Sequence, residues 1–333
     1  MANEFPLPSP PFPSRAKLLV AVSGGADSLA LLHLLLEQLP QAAKRLVVAH
    51  VNYGLRGGDS LRDEKKAREA ARRFGLSFRL LRVRNFKSSA RRNGRSVQDL
   101  AREIRYGFFG RLVRREKAWG VAVAHQAEDQ SETVMDRLLR GAGSRGLSGL
   151  RPLQEIPFLK GRPLKIWRPL LCFSGKDLRA YLRSKGVSWR EDKSNSGLRY
   201  RRNQIRAQVI PFLARWNPGI SRALRRIGEV AAAEDAYLES LLGGVEKEVQ
   251  GRWAGRSFRC SARRFTKLPL ALKRRWVRRV AERLNPDARG LSFEREEEVL
   301  RLWEAGEKGP RDLGFQLIAD RTGTTAFLRR RSP

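Results

Sequence analysis

The chain has 333 residues, long enough for two domains with separate cores, and its 41% hydrophobic content is that of an ordinary soluble globular protein. It carries 68 Lys and Arg against 34 Asp and Glu, a formal charge of +34 whose field suits a polyanion. Its two cysteines, Cys172 and Cys260, are too far apart for a CxxC metal or redox site, give no disulfide framework and fit a reducing, cytoplasmic setting. The longest apolar stretches, such as Leu29–Leu36 with His33 inside it, are far short of a membrane span. The Pro-rich start, Met1–Ser14, lacks a signal-like apolar region, and residues 1–16 read as a flexible arm.

Residues 17–140 alternate short apolar runs with helical patterns. Lys17–Val22, Arg45–Val51, Ser77–Val83 and Val121–Ala124 are predicted strands; Ser28–Gln38, Asp59–Phe74, Val97–Lys117 and Gln130–Arg140 are predicted helices. This alternation predicts an α/β fold, a parallel twisted sheet with helices on both faces, whose ligands bind beyond the carboxyl ends of the strands. Gly141–Gly161 reads as a loop, and Ser174–Lys185 as a helix with Ser174 as N-cap and Gly186 beyond its end. A polar stretch, Glu191–Asn203, leads into a helix ending at Trp216. The turn chemistry of Asn217-Pro218-Gly219 then closes a domain over 17–216. Residues 217–333 form a smaller, mainly helical domain with helices near Ile220–Leu242 and Leu270–Leu284 and a terminal hairpin within Phe315–Leu328. In the second of these helices Trp276, Val277, Val280 and Leu284 make an apolar stripe. Its other faces, with Lys273, Arg274, Arg275, Arg278 and Arg279, are either solvated or in contact with RNA.

The charge is uneven. Residues 217–333 hold 25 basic and 16 acidic side chains, a net +9, which leaves 43 and 18, a net +25, for residues 1–216. The polyanion is therefore expected mainly on the N-terminal domain.

The strongest local signal is the strand Leu18–Val22 running into Ser23-Gly24-Gly25-Ala26-Asp27-Ser28 and a helix. Two glycines let the backbone turn its N–H groups toward a ligand, and the helix start adds unpaired donors and a positive dipole end. Ser23 and Ser28 add hydroxyls, and Asp27 suits such a phosphate cup if Mg²⁺ lies between. The simpler alternative is a tight turn in which Asp27 or Ser28 only caps the helix. No Walker sequence is present: Gly175-Lys176 is followed by Asp177. Gly141–Gly146 spells G-x-G-x-x-G but follows a predicted helix, so the dinucleotide fingerprint lacks its context.

The SGGxDS loop after a first strand resembles the PP-loop ATP pyrophosphatases, and further segments resemble one branch of them, the tRNA(Ile)-lysidine synthetases. Ala49–Arg56 (AHVNYGLR) is similar to their HxNHxLR segment, Ala101–Tyr106 to AR-x-x-RY, and Ala124–Thr133 to GHxxDDxxET. Arg137–Leu150 is similar to RLLRGxGxxGLxG, Arg168–Leu171 to RPLL, and Glu191–Asn195 with Arg202–Arg206 to ED-x-SN…RN-x-IR. Tyr53, Ala124 and Glu128 depart from the family's usual His, Gly and Asp. The resemblance covers roughly residues 17–216 and implies an adenine-nucleotide α-hydrolase-like fold.

It also implies a reaction. ATP, with Mg²⁺, adenylates the carbonyl oxygen of the wobble cytidine in the CAU anticodon of tRNA(Ile); the side-chain amine of L-lysine then attacks that carbon and displaces AMP. On this reading Ser23–Ser28, His50 and Asn52 bind ATP, with Asp27 facing Mg²⁺, and Asp129 and Glu132 bind lysine. Asp27, Arg102, Arg105 and His125 carry catalysis, and Arg140, Arg145, Asn195, Arg202 and Arg206 meet the tRNA. For several of these a structural role competes: a helix cap for Asp129 or Glu132, salt bridges for Arg102 and Arg105, a strand-end support for His125. The rival functions are a PP-loop tRNA thiolase, which generally uses paired cysteines or a cluster, a small-molecule synthetase, which has no need of +34, and a non-catalytic RNA-binding protein. A homodimer is among the assemblies the sequence allows.

Overall fold

Leu18–Ala21 (β1) consists of apolar residues, and Leu18, Leu19 and Val20 are wholly buried, as an interior parallel strand requires. In this computed structural model, which describes residues 5–55, 57–84, 86, 96–157, 163–190, 201–307 and 309–331, β1 lies at the centre of a six-stranded sheet. It pairs in parallel with Leu46–Asn52 (β2) on one edge and Val121–Ala122 (β4) on the other, so that Val20 lies opposite both Val48 and Ala122. Ser77–Arg82 (β3) extends the sheet beyond β2, and Leu164–Trp167 (β6) extends it beyond β4, both in parallel. Leu153–Ile156 (β5) closes the edge antiparallel to β6. The order is β3-β2-β1-β4-β6-β5.

Alternate side chains of β1 serve opposite faces. Leu18, Val20 and Val22 join a core with Ala26–Gln38 (α1), Ala67 and Ala71 of Gly58–Arg73 (α2), and Leu178 and Leu182 of a helix at Gly175–Ser184. Leu19 joins Val47, Ala49 and the aromatic face of Val97–Arg115 (α3), with Phe108, Phe109 and Leu112. Each buried Leu, Val or Phe side chain among these stabilises the fold by roughly 1.5–3 kcal/mol. Ala127–Leu138 (α4) follows β4, and Gly175–Ser184 is α5, capped by Ser174 with Gly186 at φ +64° beyond its end. After α5 come Arg201–Gln204, a π-helical turn at Ile205–Val209 and Ile210–Ala214.

The Pro-rich segment expected as a flexible arm is docked from Phe5 onward. Phe12 is buried against Trp119 and Trp167, Phe5 meets Phe173 and Tyr181, and the buried Arg45 donates to the carbonyls of Pro13, Ala16 and Pro40. Prolines suit this role because each removes an N–H that the packed segment would otherwise leave without an acceptor. The loop expected over Gly141–Gly161 contains β5, an edge strand too short to show a period.

The chain divides into two compact units, Met1–Ala232 and Ala233–Pro333. The turn at Asn217–Gly219 precedes the long helix Ile220–Glu248 (α6), inside which the division falls. The second unit adds to the expected helices a five-stranded antiparallel sheet, of which the sequence had indicated only the terminal hairpin, Leu317–Thr322 with Thr325–Arg330. Leu270–Leu284 (α7) forms over the predicted residues and buries Trp276, Val277 and Val280. Its basic face is not simply solvated: Lys273, Arg274 and Arg278 pair with Glu304, Glu297 and Glu296 of Phe293–Ala305 (α8), and Arg275 pairs with Asp235 at 2.6 Å. Among the described residues, no helix is long and apolar enough to cross a membrane.

Gly120, one residue before β4, presses against β6: a Cβ there would lie 2.5 Å from the Lys165 carbonyl oxygen. Gly120→Ala is expected to force the two strands apart and lower stability by about 1–3 kcal/mol, read as the shift of the urea midpoint. An unshifted midpoint would mean that β4 and β6 are not held at this spacing.

Candidate active site

Because β2 and β4 flank β1 on opposite sides, the connections leaving their carboxyl ends diverge and open a crevice at that edge. The first wall is the turn from β1 into α1. Gly24 has φ +93°, and a Cβ on it would sit 2.8 Å from the Asp63 carbonyl oxygen of α2, so only glycine fits. The helix N-cap is Gly25, without a side-chain cap, so neither Asp27 nor Ser28 fills the capping role of the simpler reading. The first-turn amides of α1 therefore lack an intrahelical or capping acceptor and are open to an anion. Ser28 Oγ donates to the Gly25 carbonyl at 2.9 Å and lies 3.1 Å from Ser23 Oγ, tying the turn together. Asp27 Oδ1 is buried and has no hydrogen-bond partner among the described residues. Burial, then the nearby Asp129 carboxylate, pushes the Asp27 carboxyl up to about 6.

The second wall is the start of α4. Asp129 has two tasks: Oδ2 accepts the Gln126 N–H at 2.9 Å in a capping box, and Oδ1 accepts from Arg202 at 2.6 Å. The capping alternative thus holds for one of its oxygens. Glu132, its side chain 1% exposed, accepts from Arg202 Nε at 2.8 Å and from both Nε and a terminal nitrogen of Arg206. Arg202 and Arg206, expected to meet tRNA, pair with these two buried carboxylates while their own side chains stay 42% and 39% exposed. The π-helical turn that carries Arg206 interrupts the ordinary helical spacing between these arginines and Ile210.

The third group surrounds His125, three residues beyond β4. Its Nδ1 lies 3.1 Å from Nε of Arg168, a residue 1% exposed. Arg102 and Arg105 stack over Tyr106, with guanidinium carbons 4.9 and 5.3 Å from its ring centroid. Burial, then the charges of Arg168, Arg202, Arg105 and Arg102, holds His125 well below the ordinary histidine value, so its ring is neutral.

His50 and Asn52, expected beside a nucleotide's base and ribose, are buried and engaged internally. His50 Nδ1 donates to the Val22 carbonyl at 2.7 Å, bracing the chain just before the phosphate turn. Asn52 donates to Glu64 at 3.0 Å and accepts from Gly54 at 2.9 Å. Of the family departures, the Tyr53 hydroxyl donates to the Ala101 carbonyl, Ala124 packs in the core, and Glu128 reaches the Gly175 N–H at 3.1 Å. Arg140 is exposed and pairs with Asp136, and Arg145 lies on the short helix Ser144–Leu147. Asn195 and the Glu191–Asn195 segment lie outside the described residues, as does Arg56.

These walls enclose a cleft of about 310 Å³ lined by Asp27, Glu128, Glu132, Arg179 and Arg206. Its mixed charge suits a small zwitterion or an anion bound with a cation, and its size is at the lower end for small-molecule sites. Sequence reasoning gave no role to Arg168 or Arg179. The RPLL match contained Arg168, but nothing in the sequence placed it beside His125.

A profile described as a PP-loop domain matches residues 5–213. The chain belongs to the PP-loop family. It is similar to the tRNA(Ile)-lysidine synthase of Geobacter sulfurreducens, 35% identical over 317 residues covering 94% of this chain and 65% of that protein. It is also similar to that of Chlorobaculum tepidum, 39% identical over 232 residues covering 68% of this chain and 66% of that protein. The chain thus spans a little under two thirds of the length of these curated relatives. Among solved structures, the U34-tRNA thiolase NcsA of Methanococcus maripaludis matches with a TM-score of 0.51 and 18% identity over 66% of this chain and 73% of that one, a likeness of fold alone. The PP-loop itself is the turn Ser23–Ser28, and Asp27 is its one acidic side chain.

The raised Asp27 carboxyl has a consequence for stability. A carboxyl whose folded value lies above its ordinary 3.8 favours folding when protonated; that contribution is complete below 3.8 and is lost as pH rises through about 6. Asp27→Asn mimics the protonated form, so its Tm advantage over the parent should grow between about pH 4 and 6 and then level off. A pH-independent Tm difference would show that Asp27 is not in a charge-excluding site.

Proposed function

We propose that this chain joins L-lysine to the wobble cytidine of the CAU anticodon of tRNA(Ile), forming lysidine and converting ATP to AMP and pyrophosphate. The observation that carries the reading is the Asp129–Glu132 pair: two carboxylates that hold cationic nitrogens in the crevice that the PP-loop opens onto. A lysine ammonium has the same requirement as the guanidiniums now paired there, and it competes with Arg202 and Arg206 for the same oxygens. The relatives named tRNA(Ile)-lysidine synthase support the same substrate, and +34 suits a tRNA.

The residues divide the work as follows. The amides and hydroxyls of Ser23–Ser28 receive the ATP phosphates. Asp27 Oδ1, without a partner among the described residues, fits a Mg²⁺ bound to those phosphates, since this metal takes one or two carboxylates and completes its shell with phosphate and water. When bound, the ion neutralises phosphate charge. The cytidine carbonyl oxygen attacks the α-phosphorus and pyrophosphate leaves; the lysine amine then attacks the ring carbon that bears this oxygen, the C–O bond breaks, AMP leaves with the oxygen, and the nitrogen loses a proton. The amine must be neutral to attack. Asp129, whose carboxyl burial pushes above its ordinary value, is the proton acceptor of this reading. Arg102 and Arg105, stacked on Tyr106, hold positive charge at the His125 side, where it stabilises the phosphoryl group.

The test is incorporation of labelled lysine into tRNA followed by nucleoside analysis. Lysidine at the wobble position is the expected product, and labelled AMP formation without lysine transfer would overturn the reading. Glu132→Gln and Asp129→Asn keep shape and remove charge. Each is expected to raise the lysine KM about ten- to a hundredfold, as about 1.5–3 kcal/mol per charged hydrogen bond implies, with little change in the ATP KM. Unchanged lysine KM in both variants would make the pair purely structural.

A further inference from the structure

Arg168 is a buried guanidinium for which, among the described residues, no carboxylate is within salt-bridge distance. It follows β6 directly, and because β6 pairs in parallel with β4, with Trp167 opposite Ala122, the carboxyl ends of the two strands bring Arg168 beside His125. The side chain is 1% exposed. Its terminal nitrogens donate to neutral acceptors, the Arg151 carbonyl and the Gln154 side-chain oxygen, each at 2.8 Å, and its own N–H donates to Pro152. Its Nε, 3.1 Å away, faces His125 Nδ1. Burying a charge without a counter-charge is costly, so an arginine kept there in place of an apolar residue needs a reason.

Chemistry supplies one. A guanidinium nitrogen donates and never accepts, so the ring nitrogen it faces must carry a lone pair. We infer that Arg168 is a positioning residue that fixes His125 as the tautomer with its proton on Nε2, so that His125 offers the reaction a hydrogen-bond donor and not a base. Nε2 has no partner among the described residues, and the N–H is available to a ligand. The charges that act most strongly on the ring are cationic, Arg102 and Arg105 from α3, Arg168 from the end of β6 and Arg202 from the segment after α5, and each disfavours a second ring proton; the buried Tyr106 hydroxyl lies among the same arginines. Such a surround favours an anion, and the Nε2–H then donates to an oxygen of the adenylyl group as charge gathers on it. This last role rests on the proposed ligase function; the tautomer does not.

The chain has three histidines, which makes the tautomer directly readable. In protein labelled with ¹⁵N-histidine, long-range proton–nitrogen spectra give each ring one pattern, and His125→Gln identifies the pattern of His125. The parent should show His125 protonated at Nε2 only, without titration across the neutral range. In Arg168→Gln the amide offers both donor and acceptor; the pattern should become mixed, with the ring titrating closer to the ordinary histidine range, and kcat for AMP formation should fall about ten- to a hundredfold with the ATP KM nearly unchanged. Arg168→Lys, which keeps a donor-only cation, should restore the single tautomer and part of kcat. Protonation at Nδ1 in the parent, which needs no variant to observe, overturns the inference, as does an unaltered pattern in a folded Arg168→Gln. A single Nε2–H tautomer in a protein that transfers no lysine would leave the inference standing and remove the ligase reading instead.

Discussion

The position of β1 between β2 and β4 governs everything placed at the crevice. A parallel strand bonded on both edges must be apolar on both faces, and its neighbours must carry the chain away in opposite directions. The phosphate turn, the start of α4 and the His125–Arg168 pair all follow from that arrangement. The first leaves β1, the second follows β4, and the third exists because β4 and β6 end side by side. The close approach of Gly120 to Lys165 belongs to the same constraint, since it sets the distance between β4 and β6.

Charge is distributed around this edge in two zones. Asp27, Glu128, Asp129 and Glu132 form an acidic zone that Arg202 and Arg206 partly neutralise; Arg102, Arg105 and Arg168 form a basic zone around a neutral histidine. Neither zone is electrically comfortable in isolation. Asp27 is pushed toward protonation, and Arg168 is buried without a carboxylate among the described residues. Buried polar and charged groups of this kind are retained where a ligand completes them, and here the two zones have opposite needs.

Much of the parallel sheet was legible because its signals are local. Continuous apolar runs mark interior strands, and glycines followed by a helix mark a phosphate turn, which is why β1 to β4 and α1 to α4 lie close to their predicted bounds. The terminal unit was less legible. Its sheet is built from strands such as Arg252–Ala254 and Arg311–Gly314, only three and four residues long, in which no period develops. The site was legible in residue type but not in partnership. Asp129 and Glu132 stood out as carboxylates at a helix start, whereas the arginines that hold them come from some seventy residues later. His50 and Asn52 lie at the carboxyl end of β2 as expected, yet what they touch is set by Val22 and Glu64, which only the folded chain brings near. The docking of the initial segment is not legible in the sequence for the same reason: proline content describes the chain's stiffness, and the burial of Phe12 depends on two tryptophans far away.

Arg202 is the residue through which the two zones communicate. It donates to Asp129 and Glu132, and its charge is also among those that hold His125 neutral. Under the proposed reaction, an incoming lysine ammonium takes over carboxylate oxygens from Arg202, whose guanidinium then loses its counter-charge. In a partly dry crevice that charge is stabilised best by an anion, and the nearest anion the reaction supplies is the adenylyl phosphate on the His125 side. Binding of the amine and stabilisation of the leaving nucleotide are then linked through one side chain. On that proposed reaction, the linkage accounts for a cluster of buried carboxylates in a strongly basic protein.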